Sequence, residues 1–485
     1  MLFLGIDIGT QGVRSVVVDE SGQAVAGRSA AFASLNSSCT PGWYEQRPQD
    51  WVKALEDSLT GTIRDLNSAG YRADMIESLS IDGTSGTVVP LDQAFQPLSD
   101  ALMYNDPRAK AQAVRVGEAM RAHEQKMGFR FNASYSLPRI LWMKEERPDL
   151  YGKTRVFAHE ADYIAGLLCG EYTVSDYSNA LKTGYDLIDG IWPVPVSAAL
   201  GIDAEKLPSI AAPGAKLAPV CRQAAERFGL SEKTWVTGGS TDGYASALAA
   251  GAVREGDWAS IIGTTFVLKG VTRELIIDPN GSSYSHRLPG GEWLLGGASN
   301  LGGRCLNECA AGQDFAALDR QSESLIPTGV TCYPLSGVGE RFPFVDPNAR
   351  AFYSGNIFGG RLYPALMEGV AYGERFALER MQAIGCPVGD VIYASGGACR
   401  SDLWLKIRAS VLGKELRVPS VVDAAMGSAL LAASGSFGSL SAAADSMIRT
   451  AKTAEPDGNL TARYNDLYGQ FVQDITRCYR LEAEA

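Results

Sequence analysis

A chain of 485 residues, 46% hydrophobic and 20% charged, can bury two separate cores, and its 53 glycines suit a loop-rich α/β enzyme better than a helical bundle. A formal net charge of −11 excludes a binder that relies on a basic stripe to neutralise nucleic-acid phosphates. Nine cysteines without a CxxC pair and three distant histidines (His123, His159, His286) argue against a zinc site, the pair Cys305 and Cys309 on one helix included.

The first residues run straight into a strand, Leu2-Phe3-Leu4-Gly5-Ile6, with no basic n-region or cleavage site. No stretch reaches the ~20 apolar residues of a membrane span, so a soluble, cytoplasmic protein is expected. Apolar runs at 2–7 and 13–19 around Gly9-Thr10-Gln11-Gly12 predict a β-hairpin. Val52, Leu55, Leu59, Ile63 and Leu66 recur at helical spacing and predict an amphipathic helix over 49–67. A strand at 77–81 leads into Asp82-Gly83-Thr84-Ser85-Gly86, and Thr87–Leu91 continues as another. Helical pattern returns at 108–125 and 137–146, with Pro138 acceptable in a first turn. Segment 186–215 reads as irregular connection. At Trp235–Gly239 the pattern restarts as a strand and a Gly-rich turn, followed by a small-residue helix at 243–251.

Residues Ala259–Leu268 repeat the logic of the first hairpin: strand, Gly263-Thr264-Thr265, strand. This repetition suggests a duplicated α/β architecture with a cleft between the halves. A helix at 364–384 is expected to begin with Pro364. A strand at 390–394 leads into Gly396-Gly397, and helices follow at 401–412, 424–434 and 459–480.

Phosphoryl transfer needs a phosphate cradle, a Mg²⁺ to gather charge and a carboxylate to accept the hydroxyl proton. Neither a Walker A sequence nor a protein-kinase glycine loop is present. Asp7-Ile8-Gly9-Thr10 is the first candidate cradle. Its carboxylate can hold a Mg²⁺-bound water, and the turn offers N–H and hydroxyl donors to phosphate, with Arg14 just beyond. A hairpin with a structural aspartate is the plainer explanation. Gly263-Thr264-Thr265 is the second candidate. Ser395-Gly396-Gly397-Ala398 is the third, where glycine lets backbone approach a ligand closely or simply makes a tight connection. Thr241-Asp242-Gly243 at a helix start offers either a base or an ordinary N-cap. Asn105-Asp106-Pro107-Arg108 suits polyol hydroxyls, or is a helix-starting Asp-Pro. No single motif decides the question; their order along the chain does.

In that order the motifs resemble the FGGY family of carbohydrate kinases over nearly the whole chain. Asp7-Ile8-Gly9-Thr10 with Arg14 resembles the family's first phosphate motif and Gly263-Thr264-Thr265 its second. Ser395 through Trp404 resembles the adenosine motif, with Ala398 and Cys399 where a third Gly and an Ala are usual. Ser134 through Glu146, with Trp142, is similar to a family signature in which Arg139 replaces Lys, and Asp242 falls at the catalytic aspartate.

The resemblance implies two ribonuclease-H-like domains of the actin/hexokinase type with an ATP and sugar cleft between them. Residues 1–233 would form the sugar-binding side and 234–485 the ATP-binding side. It further implies ATP and Mg²⁺ as cofactors. Gly9, Thr10, Gln11, Arg14, Gly263, Thr264, Thr265, Gly396, Gly397, Ala398, Ser401 and Trp404 would bind the nucleotide, and Asp7 the metal. Asp7, Ser85, Asn105, Asp106, Arg108 and Asp242 would face the sugar, with Asp242 as the base.

D-xylulose kinases usually carry Met-His-Gly where this chain reads through Thr84-Ser85-Gly86, so Ser85 replaces the sugar-facing His. The strings Asp82–Gly86, Tyr104–Asp106, Tyr284–Arg287 and Gly297–Asn300 resemble a branch associated with D-ribulose, which is favoured here over D-xylulose. A non-catalytic sugar-binding regulator on the same frame is the alternative of another class, and the presence of Asp242 speaks against it. The expected partner is a small-molecule sugar, with no nucleic acid and no membrane; a homodimer is compatible with the sequence.

Overall fold

Aliphatic side chains crowd the first nineteen residues, and they form the expected hairpin. Strand Leu2–Gly9 pairs antiparallel with Gly12–Asp19, leaving Thr10 and Gln11 as the turn. In the computed structural model, which describes residues 1–481, this hairpin starts the first of two compact units. That unit comprises 1–249, 286–291 and 423–448; the second comprises 250–285, 292–422 and the chain from 449 onward. Among the described residues no helix is long and apolar enough to cross a membrane.

In the first unit, Ala24–Ala31 extends the hairpin antiparallel, while Ile76–Gly83 lies parallel to the first strand on its other side. Trp235–Thr237 and Ser240–Thr241 then run parallel to Ile76–Gly83. Helix Pro48–Ser68 buries Trp51, Leu55, Leu59 and Leu66, and a buried triad of hydroxyls, Ser58 and Thr62 each 2.7 Å from Ser15, fastens it to the sheet. Helix Ala424–Ser434 is buried along its whole length. A Cβ on Gly5 would lie 1.7 Å from the Ala425 carbonyl oxygen, and one on Gly427 would lie 1.9 Å from that of Ala245. Small residues let this helix approach its neighbours backbone to backbone.

The second unit repeats the scheme. Trp258–Ile262 and Phe266–Thr272 form an antiparallel hairpin, and the first of these strands runs parallel to Val391–Ser395. Glu415–Pro419 and Thr450–Ala454 extend the sheet beyond it, and Trp293–Ser299 pairs with Phe266–Thr272. Tyr333, Tyr372, Tyr464 and Phe471 anchor the core. Fully buried Arg408 donates two hydrogen bonds of 2.8 Å to Glu374, so its charge is neutralised by a carboxylate within the same core.

Four expectations change. Segment 186–215, expected as irregular connection, contains the helix Val194–Ala198 and the strand Ser209–Ala211, which pairs parallel with Val174–Asp176. The helix predicted over 108–125 is two helices, Lys110–Ala119 and Arg121–Met127, separated at Met120. Pro364 is the third residue of Leu362–Ala383 rather than the first; every first-turn position lacks an N–H partner within the helix, so proline fits there equally. The compact units part after Ala249, not at 233/234, and 423–448 returns to the first unit. The strand–helix sequence Trp235–Ala250 cannot be split at 234 because Ser240–Thr241 completes the first sheet.

Candidate active site

Three parallel strands of the first unit end side by side. Register pairs Asp7 with Asp82, and Ser240 and Thr241 with Asp82 and Gly83, so the helix opened by Asp242 starts just beyond the Asp82 strand end. The carboxyl ends of parallel strands are where open α/β sheets gather ligands, since loops diverge there and backbone groups are freed. Asp242 sits in the first turn of its helix, and its Oδ1 accepts a hydrogen bond from the Gly243 N–H at 2.6 Å.

Crowding sets the protonation of these acids. Burial raises the Asp7 carboxyl to about 6; a hydrogen bond to Asp82 opposes this, Asp242 and Asp423 add to it, and Arg14 offsets part. Asp82 is pushed well above the carboxylate range by complete burial and by the Asp7 charge, although Ser428 donates to its Oδ2 at 2.6 Å. Burial and the neighbouring charge together therefore oppose ionisation of both members of the pair at once. Glu160, first residue of helix Glu160–Cys169, accepts the Thr84 N–H at 2.9 Å and the Thr84 hydroxyl at 2.6 Å. Burial pushes it up to about 8 against those two bonds, and the charges of Asp242 and Asp7 push the same way. Both Asp82 Oδ1 and Glu160 Oε1 are buried without a hydrogen-bond partner among the described residues.

The turn after Asp82 is held at its far end as well. The Gly86 carbonyl accepts hydrogen bonds from Ser136 Oγ at 3.1 Å and from Arg139 at 2.9 Å. Arg139 also donates to the Tyr104 carbonyl at 2.6 Å, and burial lowers its guanidinium to about 9. Between these supports Ser85 Oγ is buried with no partner among the described residues.

The Asn105–Arg108 cluster takes a different form from the one expected. Arg108 stacks 3.9 Å over Trp43 and 5.0 Å from Trp142, and is bridged to Glu45 at 2.7 Å. It also forks onto both Asp106 oxygens at 2.8 and 2.7 Å. Asp106 accepts the Tyr44 N–H as well; burial opposes its ionisation, but the Arg108 and backbone hydrogen bonds outweigh that and hold its carboxyl below the usual range. Both side chains are thus spent within the protein, and Asn105 is the exposed member. The planar guanidinium suits this internal bidentate pairing at least as well as a sugar.

Elsewhere in the first unit, Thr10 and Gln11 are exposed at the hairpin turn, and Gln46 Nε2 donates to the Thr10 carbonyl at 3.0 Å. Gly9 closes the turn opposite Gly12, and Arg14 reaches Asp423 at 3.3 Å.

The second unit contains a cavity of about 620 Å³ lined by Gly263, Thr264, Gly397, Ala398, Ser401 and Trp404. Thr265 and Gly396 are not among its lining residues. Gly396 supports the wall: its φ is +89°, and a Cβ there would lie 2.4 Å from the Ile262 carbonyl oxygen. Ser401 caps helix Asp402–Leu412 by accepting the Trp404 N–H at 3.0 Å, and Trp404 Nε1 donates to the Met367 carbonyl at 3.1 Å, fixing the indole.

The sequence reading missed several participants. Asp82 carried the same signal as Asp7, an acid closing an apolar strand, and was passed over for its neighbour Ser85. Glu160, Ser428 and Asp423 had no local signal, since each arrives from a distant segment. In the cavity, Asn307, Phe315, Asp319 and Tyr363 had no local signal either, while Arg400 lies within the adenosine-like motif. Among the described residues no group of three or more His, Cys, Asp or Glu is arranged to hold a metal ion, and all nine cysteines are free thiols. A Mg²⁺ bound chiefly through substrate phosphates needs only one or two carboxylates, and the Asp7 carboxylate meets that requirement.

Comparison with known proteins agrees in both units. Residues 2–249 match the N-terminal domain and residues 259–436 the C-terminal domain of the FGGY family of carbohydrate kinases. A xylulose kinase of Bacillus subtilis (strain 168) is 28% identical, covering 98% of this chain and 96% of that protein. The crystal structure described as a xyloylose kinase from Brucella ovis is similar with a TM-score of 0.88 at 25% identity, covering 99% of this chain and 100% of the other. A xylulose kinase from Rhodospirillum rubrum has a TM-score of 0.87 at 26% identity, covering 98% and 99%.

Proposed function

Because this chain belongs to the FGGY family of carbohydrate kinases and is a sugar kinase, we propose that it phosphorylates the terminal hydroxyl of a pentulose with ATP, converting D-ribulose to D-ribulose 5-phosphate. The observation that carries this reading is the convergence of Asp7, Asp82 and Asp242 at adjoining strand ends. Asp242 is the base that accepts the proton of the attacking hydroxyl, and phosphoryl transfer asks little more of a protein than that and charge stabilisation. Asp7 would hold Mg²⁺ through its carboxylate or a bound water, and the metal would supply neutralisation of phosphate charge. The Gly9–Gly12 turn and Gly263–Thr265 offer N–H and hydroxyl donors to phosphates, while the cavity beside Trp404 takes the adenosine.

Ser85 supports D-ribulose as the substrate. Its buried hydroxyl lacks a protein partner, and a substrate hydroxyl would satisfy it where a bulkier side chain would exclude one. D-xylulose is the second reading, favoured by relatives that are themselves xylulose kinases. An ADP-release assay across pentuloses, hexuloses and glycerol tests both. The highest kcat/KM is expected on D-ribulose; a higher value on D-xylulose would reverse the choice. Sugar binding with no ADP release on any of them would mean a regulator instead of a kinase.

A further inference from the structure

The geometry points to Glu160 as the positioning residue that sets the Gly83–Thr87 turn, and with it Ser85, for the sugar. This rests on the proposal that Ser85 meets a substrate hydroxyl. Glu160 is fully buried, and one of its oxygens receives both the N–H and the hydroxyl of Thr84, the residue before Ser85. The Thr84 hydroxyl in turn lies 2.6 Å from that of Thr87, so the acid fixes the turn across its width. No slack exists behind it: a Cβ on Gly83 would lie 3.3 Å from Glu160 Oε2 and 3.1 Å from the Ala161 nitrogen. With Ser136 and Arg139 holding the Gly86 carbonyl, the turn is clamped at both ends, and Ser85 alone within it presents an unpartnered side-chain oxygen. Glu160 itself heads a helix fixed by a reciprocal capping box between His159 and Asp162, which gives the clamp a rigid mount.

Such a residue acts through Ser85 rather than on the reacting atoms, and steady-state kinetics of the full chain distinguish that from a purely structural role. In Glu160→Ala the KM for D-ribulose should rise about tenfold while the KM for ATP stays within about twofold, the cost expected when one well-aimed hydrogen bond is lost from a single substrate. Glu160→Gln keeps an acceptor for Thr84 and should recover most of that loss. Thr84→Val, which preserves shape, should reproduce the sugar-specific rise and stands in if Glu160→Ala does not fold. The double variant Ser85→Ala with Glu160→Ala should be within about twofold of Ser85→Ala alone, because residues acting in series are not additive. Equal rises in both KM values, an unmoved sugar KM in Thr84→Val, or an additive double variant would each overturn the assignment. Wild-type turnover on the sugar panel is the separate control: its absence strikes the substrate reading, whereas turnover with an unmoved sugar KM strikes only the role of Glu160.

Discussion

The two Gly-Thr hairpins share one backbone scheme and have different chemistry. Each is an antiparallel pair whose first strand runs parallel to a strand ending beside a glycine, Gly83 in one half and Gly396 in the other. Around the first turn the neighbours are acids: Asp7, Asp82, Asp242 and Asp423. Around the second they form a cavity walled by Trp404, Tyr363 and Phe315. A buried acid bound to a threonine also occurs in both halves, Glu160 on Thr84 and Glu368 on Thr328, yet only the first adjoins the acid cluster. Local backbone design thus supplies a platform, and the segments packed around it decide whether it is lined by acids or by an aromatic-walled cavity.

The sharpest way to break this comparison is Asp242→Asn. It should lower kcat by about a thousandfold or more with sugar binding retained, since a positioned base contributes roughly 10²–10⁴. Near-normal ADP release would remove the chemistry from the first half altogether.

Next in size is a pH effect confined to the second half. Burial raises Glu368 to about 7 from an ordinary 4.5, against hydrogen bonds from Thr328 and Tyr464. The folded state therefore holds this proton more tightly than the unfolded one. Its contribution to stability is complete below pH 4.5 and is lost as pH rises through 7, at most about 3 kcal/mol. Glu368→Gln cannot ionise, so urea denaturation at pH 5 and pH 8 should show it losing less stability than wild type over that interval. An unchanged difference between the two pH values would show that Glu368 is ionised in the fold.

The smallest effects sharpen the division of labour. Ser85→Ala should raise the sugar KM about tenfold with little change for ATP, and Trp404→Ala should do the reverse. Steady-state kinetics on both substrates check the crossing; if either variant moves both KM values equally, the assignment of one substrate to each half is wrong.

Much of this was legible in advance, and the limits have a common cause. The hairpins and the helix over 49–67 follow from short-range periodicity, and the helix at 424–434 from its run of small residues, local preferences that act on neighbouring residues. The motif order identified the family. Glu160 gives no sign in sequence of being buried beside the Asp82 strand end, whereas Asp82 does close an apolar strand as Asp7 does; the Asp106–Arg108 pair looked like a polyol cluster because nothing local reveals that Trp43, Glu45 and Trp142 enclose it.

By itself, then, the sequence determined most of the elements and the two α/β halves, which depend on residues near one another in the chain, and, through the order of motifs along the whole chain, the kinase family. Tertiary structure alone decided that 423–448 returns to the first unit and that Ser428 meets Asp82 across 346 positions. It also decided that Asp242 and Asp423, from other segments of the chain, lie close enough for their charges to act on Asp7 beside the buried Asp82. Protonation depends on burial and on charges a few ångströms away, and those distances exist only once the chain has folded.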